Sequence, residues 1–419
     1  MVEIWLPYGS TEVCVRIPTV NLLDVIEPKK IDVTPDPRAE IRNALRNPVG
    51  DVSITEIVKP GAKITLILKD SGILTNSLLV STLMEELNSA GVKDEDVTVV
   101  VAYDPFRAVS SRRDSPVLDE ELSARLRVIR HSCEAEGQEY IGRTSRGIEI
   151  YLNRLLKEAD VKITVGPVEP HPIVGYSGGP EIVLPGVASL NSILEVFRLG
   201  MDERAEKGKV EDNPVHEEIL EAANLAQIDF TLNIVRNSKF DVVKAFAGSV
   251  DEAFGRAVRL AEEIYRVPVE RRADMIFISP GGSLFDATLQ EAAVCLDSAL
   301  KIVKKGKPVA LVAECISGCG DKEFLEISFK FSNPKDLRRY LKRKFSIPGL
   351  VAYRLMNVIQ QADLTIVSVI PEYYVSRLFK IKTARTANEA YRLLADVVGS
   401  RGKVSFLPYG RLTIPFMKT

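Results

Sequence analysis

Glu169-Pro170-His171-Pro172-Ile173-Val174-Gly175-Tyr176-Ser177-Gly178-Gly179-Pro180-Glu181-Ile182-Val183-Leu184-Pro185-Gly186 directly follows Val161–Val168, a run whose β-branched residues read as a buried strand. In an α/β sheet, a glycine-rich turn at the carboxyl end of a strand is where ligands usually bind. The small residues 177–179 allow backbone amides to approach an anion closely. Tyr176, Ser177, Gly178 and Gly179 are therefore candidate binding residues for a phosphate or carboxylate. The competing reading is a glycine-rich turn with no ligand.

Working outward from this stretch, short strand-like runs recur at Ile64–Lys69, Val97–Ala102, Met275–Ser279, Pro308–Glu314 and Leu364–Ile370. Between them, Leu78–Ala90, Leu118–Leu126, Val215–Ala226 and Glu252–Tyr265 place apolar residues three and four apart, the spacing of an amphipathic helix. Alternating strands and helices predict an α/β protein built on largely parallel sheets with flanking helices. At 419 residues the chain suits two such domains. The polar stretch Val267–Ala273 is the expected boundary and hinge. The expected domains are 1–266, completed by the tail 403–419, and 272–402, with a ligand cleft between them. Met275 to Glu314 reads as one strand–helix–strand unit, and its Gly281-Gly282 pair is a weaker candidate phosphate cradle.

Composition narrows the function classes. Hydrophobic residues make up 46% and charged residues 27%, a globular profile. With 55 basic against 57 acidic residues, no net field favours nucleic acid or an anionic membrane, so the expected partner is a small molecule. No segment approaches the ~20 apolar residues that cross a bilayer, and the amino terminus lacks a signal-peptide pattern, so a cytoplasmic location is expected. Five cysteines, an odd and scattered set, read as reduced thiols. Cys315 and Cys319 have no nearby histidine or second cysteine pair to complete a zinc site, and no metal ligands are assigned.

Only three histidines exist. His171 lies in the strand-end loop, where a ring titrating near neutrality could act as general acid or base; the alternative is a structural histidine. His216, after Asn213-Pro214, reads as a solvent-exposed helical residue, and His131 carries no signal of its own. Asp70 follows the strand at 64–69 and is either a helix cap or a site carboxylate. No nucleophile elbow, phosphate-binding Walker loop or His-Glu-x-x-His motif is present.

With these segments in place, the chain resembles the nickel-dependent lactate racemase family from end to end. The resemblance rests on Pro170-His171, Gly175-Tyr176-Ser177-Gly178-Gly179 and Leu184-Pro185-Gly186. Leu6-Pro7-Tyr8-Gly9, Asp70, Asn213-Pro214, Pro280-Gly281-Gly282 with Asp286, and Ala313-Glu314-Cys315 follow in the family's order. It implies that family's fold and a nickel pincer nucleotide, tethered to a lysine and completed by a nickel-binding histidine, that shuttles hydride with a 2-hydroxy acid. The positions matching those two residues are Glu181 and Phe197 here. The family's second acid/base histidine falls on Phe106, its substrate arginine on Ile73, and its Tyr-Gln-x-x-Lys helix motif on Gln290, Glu291 and Val294. Of the principal positions, Asp70 and His171 remain.

Two functions follow as expectations. One is a divergent racemase or epimerase acting on a hydroxy acid without a tethered nickel pincer cofactor, with His171, Asp70 and Glu181 as catalytic candidates. The alternative is a non-catalytic binding protein for a nucleotide or carboxylate. A true nickel-dependent lactate racemase comes last, because its anchoring side chains are missing. The cofactor, if any, and the oligomeric state are left open.

Overall fold

All five residues of Ile64–Leu68 are buried, and this strand lies inside the sheet that organises the Lys30–Ile264 part of the chain. A computed structural model of the protein describes residues 1–107 and 116–418. Contacts divide the chain into two units. One comprises Lys30–Pro105 with Asp114–Ile264; the other comprises Met1–Lys29, Phe106 and Arg107, and Tyr265 onward.

In the first unit, six strands lie in the order Val242–Gly248, Phe230–Arg236, Val161–Pro167, Ile64–Leu68, Val97–Val101, Arg127–Arg130. All neighbours are parallel except the first pair. The inner strands are buried at almost every position because helices cover a parallel sheet on both faces. Ile64, Leu66 and Leu68 pack with Leu79, Leu83 and Leu87 of the helix Ile73–Ser89 in one buried core. Asp36 caps the helix Pro37–Arg46 by accepting from the Ala39 amide, with Pro37 at its first position. The chain leaves Ile64–Leu68 toward Val97–Val101 and Arg127–Arg130, then returns to place Val161–Pro167 on the opposite side. The strand order therefore reverses between Ile64–Leu68 and Val161–Pro167.

The second unit holds its own six-stranded parallel sheet, ordered Lys382–Ala384, Asp363–Val367, Pro308–Val312, Met275–Ile278, Val404–Leu407, Leu22–Val25. The hairpin Val2–Tyr8/Thr11–Ile17 packs Leu6, Val15 and Ile17 against its core.

The α/β class with parallel sheets and flanking helices agrees with the sequence reading. The domain limits differ. The tail was expected to complete the amino-terminal domain. Instead Val404–Leu407 pairs with Met275–Ile278 and Leu22–Val25, so both chain ends extend the second sheet. The stretch expected as a linker carries a strand, Arg266–Val269, paired with Ile414–Met417. These pairings join residues far apart in sequence, and local apolar patterning carries no signal for them.

Candidate functional site

Where the strand order of a parallel sheet reverses, the loops leaving the two adjacent strand ends diverge and open a crevice. In the first unit those loops begin at Lys69 and at Val168. Lys69 directs its ammonium into the crevice and meets the Glu181 carboxylate at 2.7 and 2.9 Å. Burial disfavours the ammonium, but Glu181, with Asp104 and Glu169 around it, outweighs that and raises the Lys69 pKa above its ordinary value. Lys69 is thus held as a cation, and Glu181 is occupied as its counter-ion.

His171 sits on a two-stranded ribbon in which Pro170-His171 pairs with Gly175-Tyr176. Its ring is buried, and Nδ1 accepts the amides of Val174 at 3.0 Å and Ile173 at 3.3 Å. An acceptor at Nδ1 leaves the ring proton on Nε2, which makes that nitrogen a hydrogen-bond donor. The expectation of a simple general base is corrected to that extent: taking up a second proton would set Nδ1–H against two backbone N–H groups. Asn213 fastens the ribbon from below. It caps the helix Pro214–Ala226 and donates Nδ2 to the carbonyls of Ile173 and Lys209.

The loop expected to cradle an anion is built differently. The Ser177 amide donates to the Glu169 carbonyl, that of Gly178 to the Glu181 carboxylate, and that of Gly179 to Asn233 Oδ1. Tyr176, Ser177, Gly178 and Gly179 are all buried. The amides that would bind a phosphate are engaged inside the fold, and the small residues serve close packing.

Asp70 does not cap the helix Ile73–Ser89, whose N-cap is Gly72. Its Oδ1 accepts from the Gly72 amide and from Asn76 Nδ2, while Oδ2 lies 3.9 Å from Arg130. The side chain remains 23% exposed, against 4% for Glu181, which makes Asp70 the more accessible carboxylate of the two.

Arg236 and Glu169 were not singled out from the sequence. Arg236 ends the strand Phe230–Arg236, buried along its whole length, and is itself 3% exposed. It donates to Glu169 at 2.6 and 3.0 Å. The available signal was a polar series, Thr231, Asn233 and Arg236, inside a buried strand, where side chains without partners are costly. Lys69 was legible in the same way, as a charge closing an apolar run.

The other two histidines depart from expectation. His216 is buried, not exposed, and stacks on Phe254 with ring centroids 5.8 Å apart. Burial lowers its pKa, opposed by its bond to the Val174 carbonyl and by Glu217. His131 is likewise lowered by burial against its bond to the Ala188 carbonyl; Asn153 donates to its Nδ1. Unfolding returns both rings to a pKa near ~6.5, so the unfolded chain binds more protons below that pH. Their contribution to stability is whole above pH ~6.5 and is lost as the pH falls through the lower folded values. Urea midpoints measured from pH 8 down to 5 should hold steady and then decline; a midpoint that climbs on acidification would contradict this assignment.

The residues do not fit a tethered nickel pincer nucleotide. Position 181 carries a carboxylate already engaged by Lys69, and an amine held as an ammonium is a poor nucleophile for such a linkage. Phe197 is fully buried in the helix Leu190–Arg198 and offers no lone pair to a metal. Phe106 is buried, and Ile73 is 37% exposed. Among the described residues no group of three or more His, Cys, Asp or Glu side chains is placed to hold a metal ion, Cys315 and Cys319 included. Nor is any described helix long and apolar enough to cross a membrane.

Residues 8–208 match the lactate racemase N-terminal domain family. The lactate racemase of Thermoanaerobacterium thermosaccharolyticum is 25% identical, with 98% of each chain covered. That of Lactiplantibacillus plantarum is 23% identical over 98% of this chain and 99% of its own. The solved lactate racemase apoprotein from T. thermosaccharolyticum superposes with a TM-score of 0.87 at 25% identity, covering 99% of this chain and all of that one. A crystal structure of a Thermotoga maritima protein shares the fold, with a TM-score of 0.67 at 18% identity over 93% of this chain and all of that one. Residues 8–208 thus carry a lactate racemase N-terminal domain, and the whole chain is similar to lactate racemases nearly end to end in sequence and in fold.

Proposed function

We propose that the protein is a racemase- or epimerase-type isomerase acting at the α-carbon of a hydroxy acid without a covalently tethered nickel pincer nucleotide. The observation that carries this reading is the pairing, on the two sides of the strand-order reversal, of an accessible carboxylate, Asp70, with a buried imidazole whose proton is directed to Nε2, His171. In this reading Asp70 removes the α-proton, and the His171 Nε2–H donates to the carboxylate oxygen on which charge develops. A neutral imidazole can serve as such a donor. The planar intermediate then turns its other face to the protonated Asp70, which returns the proton and inverts the centre. Glu181 is reassigned from catalytic partner to the counter-ion that keeps Lys69 charged.

The test is loss of the α-hydrogen signal of lactate and longer 2-hydroxy acids in deuterium oxide, followed by proton NMR. Wild type should exchange, and Asp70→Asn and His171→Ala should each slow exchange about 10²-fold. Exchange undiminished in both variants would remove the reading. Intact mass after coexpression with enzymes that build the nickel pincer nucleotide should equal that of the bare chain, and a nucleotide-sized increase would overturn it.

A second reading, a small-molecule binding protein without catalysis, is weakened by the internally bonded amides of 177–179, where its ligand was expected. It predicts saturable binding of a hydroxy acid with no isotope exchange.

A further inference from the structure

We infer that Arg236 is a positioning residue whose guanidinium fixes the two strand-end loops that carry Asp70 and His171 at one spacing. The inference deepens the isomerase reading and rests on it for its consequence in turnover. Arg236 Nε and Nη2 donate to Glu169 Oε1 at 3.0 and 2.6 Å, on the His171 side of the reversal. Its Nη1 reaches across to Thr75 Oγ1 at 3.3 Å and to the Ser71 carbonyl at 3.5 Å, on the Asp70 side. One planar fork therefore spans both loops, which a lysine's single point of charge does not do.

Each end of the strut continues to a site residue. Ser71 donates its amide to Asn76 Oδ1, and Asn76 Nδ2 donates to Asp70. On the other side, Glu169 accepts the Ser177 amide at its carbonyl, and its own amide donates to the Ser177 hydroxyl. Those two bonds close the base of the ribbon on which His171 stands. The Phe240 ring lies 4.9 Å from the guanidinium carbon, and Phe240 adopts a left-handed backbone with φ +67° to put it there. A bulky residue occupies that region at a cost in strain, which marks the arrangement as one the surrounding fold maintains.

A buried ion pair is a poor device for stability alone, since apolar side chains of similar size often serve as well or better. What such a pair does supply is directional constraint. Misplacing a reacting group by about 1 Å can slow a reaction about 10²-fold. Arg236 acts on turnover through Asp70 and His171.

The experiment compares wild type with Glu169→Met/Arg236→Met, which removes both charges together, and with Arg236→Lys, which keeps the charge and loses the fork. Both should remain folded, the lysine variant serving if the double variant does not. Amide hydrogen exchange followed by mass spectrometry should show faster exchange in two segments at once, 71–76 and 169–177, while 64–68 and 161–167 keep their protection. The kcat for α-hydrogen exchange should fall about 10²-fold with KM little changed. Unaltered protection in both loops, or loosening confined to one of them, overturns the inference, as does a folded variant with wild-type kcat. If wild type exchanges no hydroxy acid at all yet both loops loosen together, the isomerase reading falls and the positioning role stands.

Discussion

Lys69→Met should destabilise the Lys30–Ile264 unit by about 3–5 kcal/mol, because it removes the cation and leaves a carboxylate inside the fold. Glu181 is 4% exposed, and without Lys69 its remaining bond among those described is the Gly178 amide at 3.2 Å. Asp104 and Glu169 both act on the same ammonium, so its loss also leaves their mutual repulsion less screened. The double variant Lys69→Met/Glu181→Gln removes both charges and retains an acceptor for Gly178. It should recover to within about 1–2 kcal/mol of wild type, as a neutral replacement of a buried pair usually does. Urea titration followed by circular dichroism checks both values. Equal loss in the single and double variants would mean that the pair does not behave as a buried one.

Gly175→Ala should cost about 4 kcal/mol through two effects that add at one atom. The residue has φ +91°, a region that costs a residue with a β-carbon about 1–3 kcal/mol. Its added carbon would lie 2.1 Å from the Lys209 carbonyl oxygen, and forced overpacking adds about 1–3 kcal/mol. Lys209 cannot retreat freely, since its carbonyl is bonded by Asn213 and the neighbouring Gly208 amide donates to the Gly175 carbonyl. Gly61→Ala, at φ +82° with open space around it, isolates the backbone effect and should lose about 1 kcal/mol. A thermal shift no larger for Gly175→Ala than for Gly61→Ala would remove the steric argument.

Much of the first unit could be read from the sequence because its inner strands are buried on both faces. Ile64–Leu68, Val97–Val101 and Val161–Pro167 appear as mostly apolar, β-branched runs interrupted only by Thr65, Thr98, Lys162 and Thr164, as the strands of a covered parallel sheet can. Phe230–Arg236 escaped notice although it is equally buried, since Thr231, Asn233 and Arg236 interrupt its apolar character. The Thr231 hydroxyl, the Asn233 Oδ1 and the Arg236 guanidinium are tolerated there because Thr164, Gly179 and Glu169 partner them. The same limit governed the site. Position alone marked His171 and Asp70 as strand-end residues. The engagement of the 177–179 amides, the tautomer of His171 and the reach of Lys69 to Glu181 all depend on groups brought together from distant segments. Composition does not distinguish a glycine that opens a loop to a ligand from one that lets two backbones touch.

The placement of Leu22–Val25 beside Val404–Leu407 bears on how the chain is made. About 380 residues separate the partners, so at a ribosomal pace of about 5–20 residues per second the earlier strand waits for tens of seconds. The Lys30–Ile264 unit is encoded entirely within that interval and has its full sheet before the last strand of the enclosing unit emerges. Translation thus imposes a sequence of events in which the inserted unit matures first, while Leu22–Val25 stays without its strand partner until Val404–Leu407 emerges.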